Sequence, residues 1–415
     1  MRRLFIGLAL TLLLATPAAE ARRRSVRVTP PRPAPATPAE WLLANAYRLH
    51  SVDLANDSSD LAPLHTLAAG ASIIGLGDGS HGTREFYTVK LRLIDALVRE
   101  LGFDVISLEA PYPLFRKLNA WVQGGEGDPK ALLQEAGRLG YFFWDCEEIL
   151  AVLEWMRAYN AHRGERAPVT IAGADIFEPR GAAENVLQFL RGADPSVVGS
   201  FESDYTCVLN QNGLVAGGCP KPPTESALSR LEARRNDLGG GSRAAAFEEA
   251  VHNARVVVQS FSFGLRDANM AANVLWMRDH LSPSGRIAYW AHSEHVGVTL
   301  TSAGKAIRDS VGAQYFVIGT LPGSGAYLTW INTVPTTLEV PVPAAGSYES
   351  YFQLSQPPAT LIPLRGEVPE WLRGPASHFF AGTAPSETSV IAKLPEKLDA
   401  VIYIHATSPI RVLQH

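Results

Sequence analysis

The chain is sparing with charge, cysteine and long apolar runs, and each shortage narrows what it can be. Charged residues make up 19%, with 37 basic against 41 acidic for a net charge of −4. That balance argues against a nucleic-acid partner, which would want a basic patch. There are 3 cysteines. Cys207 and Cys219 lie too far apart for a zinc knuckle and have no partner pair. HExxH, the zinc-protease helix motif, does not occur. G-x-S-x-G is missing too, because Ser80 has Asp78 rather than Gly two residues before it. Internal repeats are also absent.

Only one apolar run is long, Leu4–Ala15, behind Arg2 and Arg3 and ahead of Ala19-Glu20-Ala21. It is short for a membrane anchor and has the form of a signal peptide cleaved after Ala21. Loss of Arg2, Arg3 and Glu20 would take the net charge from −4 to −5. Residues 22–39, basic and Pro-rich, read as an extended linker. The expected location is therefore the periplasm or outside the cell, with no membrane contact once the signal is removed. In such a compartment Cys207 and Cys219, which bracket CVLNQNGLVAGGC, are expected to form a disulfide. Cys146 is left as a small buried thiol.

What is present is the composition of a globular core, 46% hydrophobic, in an alternating order of elements. Strands are predicted at Ala71–Leu76, Phe103–Leu108, Val169–Gly173, Arg286–Trp290, Gln314–Ile318 and Ala400–Ile404. Helices are predicted at Thr83–Leu101, Pro111–Gln123 and Glu147–Asn160. The fold class is α/β, a mainly parallel central sheet flanked by helices, as one domain over 40–415. A large helical insertion covers about 180–280, and 335–369 reads as surface loops and short strands.

Titratable residues follow the strands. Asp78 and His81 stand in GDGSHG, Glu109 in LEAP, Asp175 in GADIF, and His292 and His295 in WAHSEHVG. In an open parallel sheet these strand ends share one edge, where ligands bind. A single such carboxylate is often only a helix cap, and that reading is strongest for Asp175. Lys90 falls in the apolar stripe of Phe86, Ile94, Leu97 and Leu101, with Arg84, Arg92 and Arg99 on the solvated face. An inward ammonium needs a carboxylate partner, unless its stem snorkels along the sheet edge. GDGSHG also satisfies GxGxxG, but Glu109 comes too late for the ribose-binding acid of a dinucleotide site. His292 and His295 could share a metal if helical, with a third ligand unspecified.

Several segments, taken in order, resemble the erythromycin esterase family. IIGLGDGSHGTREF is similar to its LGEASHGTxEF opening, and WDCEEILAVLEWMRAYN to its W-x-x-E-E helix. RDANMAANVLWM resembles RDxxMAxNVxWL, and YWAHSEHVG resembles WAHNAHVG. The resemblance implies ester or lactone hydrolysis of a small molecule, with His81 activating a water and no covalent serine. Glu109 and Asp78 would be partner carboxylates, and the His292/His295 pair would complete the site. His295 or Lys90 would lie near the developing oxyanion. Lys90, Trp144, Arg266 and His292 are then the candidate substrate-binding residues, with Trp144 equally readable as core and Arg266-Asp267 as a structural ion pair. No cofactor is implied, and metal dependence is left open. Asp78 replaces the family's usual Glu, Lys90 a common Arg, and Ser293-Glu294 the usual Asn-Ala, which puts macrolide activity in doubt. The rival functions are a non-catalytic metal- or ligand-binding periplasmic protein and a nucleotide-binding enzyme using the GDGSHG turn.

Overall fold

The computed structural model describes residues 37–54, 57–211, 218–381 and 389–414. The predicted signal peptide and most of the predicted linker lie outside them. The first described helix, Pro38–Asn45, starts on a capping box in which Thr37 and Glu40 satisfy each other's backbone N–H groups.

The strands are β1 Tyr47–Leu49, β2 Ile73–Asp78, β3 Val105–Pro111, β4 Thr170–Asp175, β5 Ile287–His292 and β6 Tyr315–Pro322. They continue with β7 Ala326–Ile331, β8 Val334–Glu339, β9 Ala359–Pro363, β10 Ala376–Phe379, β11 Ser389–Ala392 and β12 Ala400–Ile404. Eight of them build one sheet in the order β1-β9-β12-β6-β2-β5-β3-β4. The run from β12 to β4 is parallel, and β9 and β1 extend it antiparallel at one edge. β7 with β8, and β10 with β11, form separate two-stranded units.

Burial on both faces explains the uninterrupted apolar strands. Ile74, Leu76, Ile106, Leu108 and Trp290 face one core with helices Arg84–Arg99 and Glu147–His162. Ile73, Val105, Ala172, Tyr289 and Ala291 face the other, under helices Pro179–Ala193, Ala244–Gln259 and Arg266–His280. The α/β class with a mainly parallel sheet is therefore as expected. Between β4 and β5 the described chain is helical, and Cys207 is bonded to Cys219 there. Closing a loop of this size stabilises by roughly 3 kcal/mol in the chain-entropy model.

Two sequence expectations fail here. Arg92 is not on a solvated face but is 2% exposed. Its guanidinium is paired with Asp60 and donates to the carbonyls of Ser51 and Asp57. The segment after β1 covers that side of the helix, which the helix's own periodicity could not reveal. Segment 335–369, read as surface loops and short strands, does hold a short strand, β9, but it is buried in the main sheet and not on the surface.

Candidate active site

Three of the site residues end strands rather than follow them. Asp78, Asp175 and His292 are the last residues of β2, β4 and β5. Glu109 sits within β3 where its register with β4 shifts. Because β2, β5, β3 and β4 are consecutive neighbours, their carboxyl ends converge on one edge.

Asp78 is fully buried and takes a donor on each oxygen. Trp290 donates Nε1–H to Oδ2 at 2.8 Å, and the Lys90 ammonium is ion-paired with Oδ1. Lys90 Nζ also lies 4.9 Å from the centre of the Trp290 ring. Burial pushes Lys90 down to about 8, against the pull of Asp78. The inward lysine thus has a carboxylate partner, but it lies behind the site and cannot touch a substrate.

His81 occupies the turn after β2 and is 6% exposed. Its ring stacks on Phe143 with centroids 4.0 Å apart and 12° between planes. Nδ1 faces Asp78 Oδ2 at 3.8 Å and Nε2 faces Glu109 Oε2 at 3.7 Å. Neither distance is a hydrogen bond. The turn is packed tightly from outside. A Cβ on Gly82 would meet the Leu328 carbonyl oxygen at 1.7 Å, and Leu328 and Ile410 both donate to the Gly82 carbonyl. Gly82 admits β7, Gly79 lies against the Thr320 carbonyl of β6 and Gly77 against Ser293 and Val296, so each glycine of the GxGxxG match has a packing role.

Glu109 is 4% exposed and fully engaged. Oε1 accepts from Arg266 Nη2 at 2.7 Å and lies 3.2 Å from His295 Nε2. Oε2 accepts the His292 backbone N–H at 3.0 Å. Burial opposes its charge, yet His295 and Arg266 outweigh that and hold the carboxyl well below its usual range. Arg266 also donates to Asp175, through Nε at 3.0 Å to Oδ1 and through Nη2 at 2.5 Å to Oδ2. Tyr141 O–H adds a further donor to Asp175 at 2.6 Å. Asp175 is therefore the counter-ion that aims Arg266. The helix after it takes Glu178 as its N-cap, so the capping role anticipated for Asp175 is not the one it plays.

His295 Nδ1 contacts Asp267 Oδ1 at 2.9 Å. Burial disfavours its charge, but Glu109 and Asp267 raise it to about 10, so the ring is an imidazolium at neutral pH. A raised folded value means stability fully present below the unfolded value near 6.5 and lost as pH rises through about 10. Between these limits the chain should lose up to about 1.4 kcal/mol per pH unit from this residue. Urea titrations from pH 7 to 10 should show that slope in wild type and a flatter one in His295→Gln. Equal slopes would remove the imidazolium.

His292 is held differently. Its Nδ1 accepts the Glu294 backbone N–H at 3.2 Å, and Phe380 meets its ring edge-on at 5.0 Å. The two histidines thus turn to separate partners, and no group of three metal-binding side chains occurs among the described residues.

A cleft of about 340 Å³ opens over these groups. His81, Glu109, Arg266, His292, Glu294 and His295 line it together with Leu139, Gly140, Tyr141, Phe143, Phe177, Phe263 and Phe380. Trp144 takes the core alternative rather than the cleft wall: it is wholly buried and donates Nε1–H to the Glu109 carbonyl at 2.8 Å. It sets the β3 backbone from behind. Asp267 and Tyr141 were not foreseen as site residues. RDANM placed Asp267 beside Arg266, but nothing local linked it to His295.

Fold and site together define an α/β protein with a histidine–carboxylate centre at the carboxyl edge of a parallel sheet. The Erythromycin esterase family model matches residues 98–407, and the chain belongs to that family. The match begins beyond Asp78, His81 and Lys90, which are tied to it through contacts with Glu109 and Trp290. Erythromycin esterase type II of Escherichia coli is 22% identical over 67% of this chain and 75% of its own length. A Bacillus subtilis (strain 168) protein named as a hydrolase, YbfO, is 22% identical over 89% of this chain and 91% of its own. A Bacillus cereus crystal structure superposes with a TM-score of 0.81 at 24% identity, covering 91% of this chain and 98% of that one. A mutant erythromycin esterase, EreC, in its open conformation gives 0.67 at 18% identity, covering 86% and 96%. These structures share the fold, and the family makes the chain a hydrolase.

Proposed function

We propose that this chain is an exported hydrolase that cleaves a small-molecule ester or lactone with a water activated by His81. The proposal uses no metal, cofactor, nucleic acid or membrane partner. The observation that carries it is the placement of His81 between two carboxylates with one ring nitrogen toward each. Asp78 lies behind Nδ1, inside the core, and favours the proton there. Nε2 then presents its lone pair on the cleft side, where a water can lose its proton as it attacks a carbonyl carbon. Asp78 and Glu109 stabilise the imidazolium that forms, and the leaving alkoxide takes that proton back. Both distances are long for hydrogen bonds, as is usual before a substrate tightens a site.

The cleft also bears on substrate shape. Its volume is at the small end for ligand pockets, and its walls are aromatic rings and Leu139, with Phe177 and Phe263 stacked 6.0 Å apart. These features favour a compact ester with an apolar ring over a large polar one. Acid release in a pH-stat should be measured on aryl esters, alkyl esters, lactones and macrolides. Turnover is expected for compact aryl esters or lactones. Silence across the whole panel from folded protein would sink the hydrolytic reading.

A further inference from the structure

Hydrolysis of an ester needs a donor for the carbonyl oxygen as well as a base for the water, and the donors in this cleft are unequally free. His295 spends Nδ1 on Asp267 and Nε2 on Glu109. Arg266 spends Nε and Nη2 on Asp175 and Glu109 and faces His295 with Nη1 at 3.1 Å. Lys90, the other sequence-level candidate for this role, is sealed behind Asp78. His295 Nε2 is itself a donor, so Arg266 Nη1 keeps an unspent N–H, but its guanidinium is turned to Asp175 and Glu109. His292 is the donor that stands beside His81. Its Nδ1 is occupied as an acceptor by the Glu294 N–H, so a neutral ring must carry its proton on Nε2. That Nε2 is buried and has no hydrogen-bond partner.

A buried donor left without an acceptor is costly, and such a group in a cleft points to a ligand that completes it. We propose that His292 donates its Nε2–H to the carbonyl oxygen of the substrate and holds the negative charge that develops there. The assignment rests on the hydrolytic reading above.

The surroundings keep the ring in this state. His292 is 4% exposed, and burial, with the neighbouring His81 and against the pull of Glu109, holds it well below its usual range. It therefore stays neutral, and a neutral imidazole donates a hydrogen bond without surrendering its proton. The His81 ring lies 5.0 Å from it, centroid to centroid, so base and donor flank one space. Its backbone is pinned by Glu109 Oε2 and its edge by Phe380. In the step itself, water oxygen bonds to the carbonyl carbon while His81 takes the water proton. The carbonyl π pair moves onto oxygen and is held by His292 N–H. Collapse then expels the alkoxide, which takes the proton from His81.

Four measurements test this. Nitrogen-15 NMR of the labelled ring should show a neutral Nε2–H tautomer from pH 6 to 9, whatever the activity. His292→Phe should lower kcat by about 10²-fold with little change in KM, the usual effect of losing one preorganised donor. His292→Gln, which can present an N–H from a similar reach, should recover at least part of that loss. Sulfur is a poor acceptor, so wild type should favour an oxo ester over its thiono analogue more strongly than His292→Phe does. A merely structural role would slow both esters alike, and that result would overturn the assignment. So would an Nδ1–H tautomer or a charged ring near neutral pH. A wild type inactive on every ester would instead fail the hydrolytic reading and take this assignment with it, while the tautomer would still be seen.

Discussion

His81→Asn should lower kcat for the best substrate in the panel by at least 10²-fold, the low end of what a positioned general base contributes. Asn keeps polarity at the turn but cannot take a proton from water. Asp78 and Glu109 already have other donors, Trp290 and Lys90 for the first and Arg266 and the His292 N–H for the second. Neither is left unpaired by the change, so the fold should survive it. The variant loses the stacking on Phe143 and should melt only slightly lower by circular dichroism. A kcat within threefold of wild type, from protein of normal stability, would remove His81 from the mechanism.

The second large effect concerns stability. Lys90 and Asp78 are 0% exposed, and a buried ion pair is most costly when one partner is removed. Lys90→Met retains the apolar stem but leaves the Asp78 charge facing only Trp290 and His81. It should cost about 3–5 kcal/mol in urea unfolding. Adding Asp78→Asn should recover much of that, because neither charge then remains and the two sites are in contact and do not add. A single variant within 1 kcal/mol of wild type would mean that the pair is not isolated from water as the structure has it.

The sequence was most informative where chemistry coincided with a strand boundary. Asp78, His81, Glu109 and His292 could be named because a parallel sheet gathers its carboxyl ends, whatever the order of its strands. The inward position of Lys90 was legible from the stripe it shares with Phe86 and Ile94. The partnerships were harder. Asp175 looked like a helix cap because its true partner, Arg266, comes 91 residues later. Trp144 was readable both as a cleft residue and as core, and it is the adjacent Phe143 that lines the cleft. The Trp144 ring turns into the core to reach the Glu109 carbonyl. Arg92 was misplaced because helical periodicity reports which face is apolar, and another segment can cover the polar one. Each miss involved residues whose decisive neighbour is distant in the chain.

The strand order also governs when the site can exist. β2 is flanked by β5 and β6, both of which follow the helical segment. Trp290, which holds one oxygen of Asp78, is separated from it by 212 residues. His81 and its carboxylates stand early in the sequence, but β2 has no neighbour to pair with before the chain reaches β5 at residues 287–292. Closing so long a loop costs entropy before any contact repays it. The centre of the sheet, and with it the site, therefore depends on contacts that span most of the chain. A truncation before β5 should leave His81 and Glu109 without the sheet that gathers them.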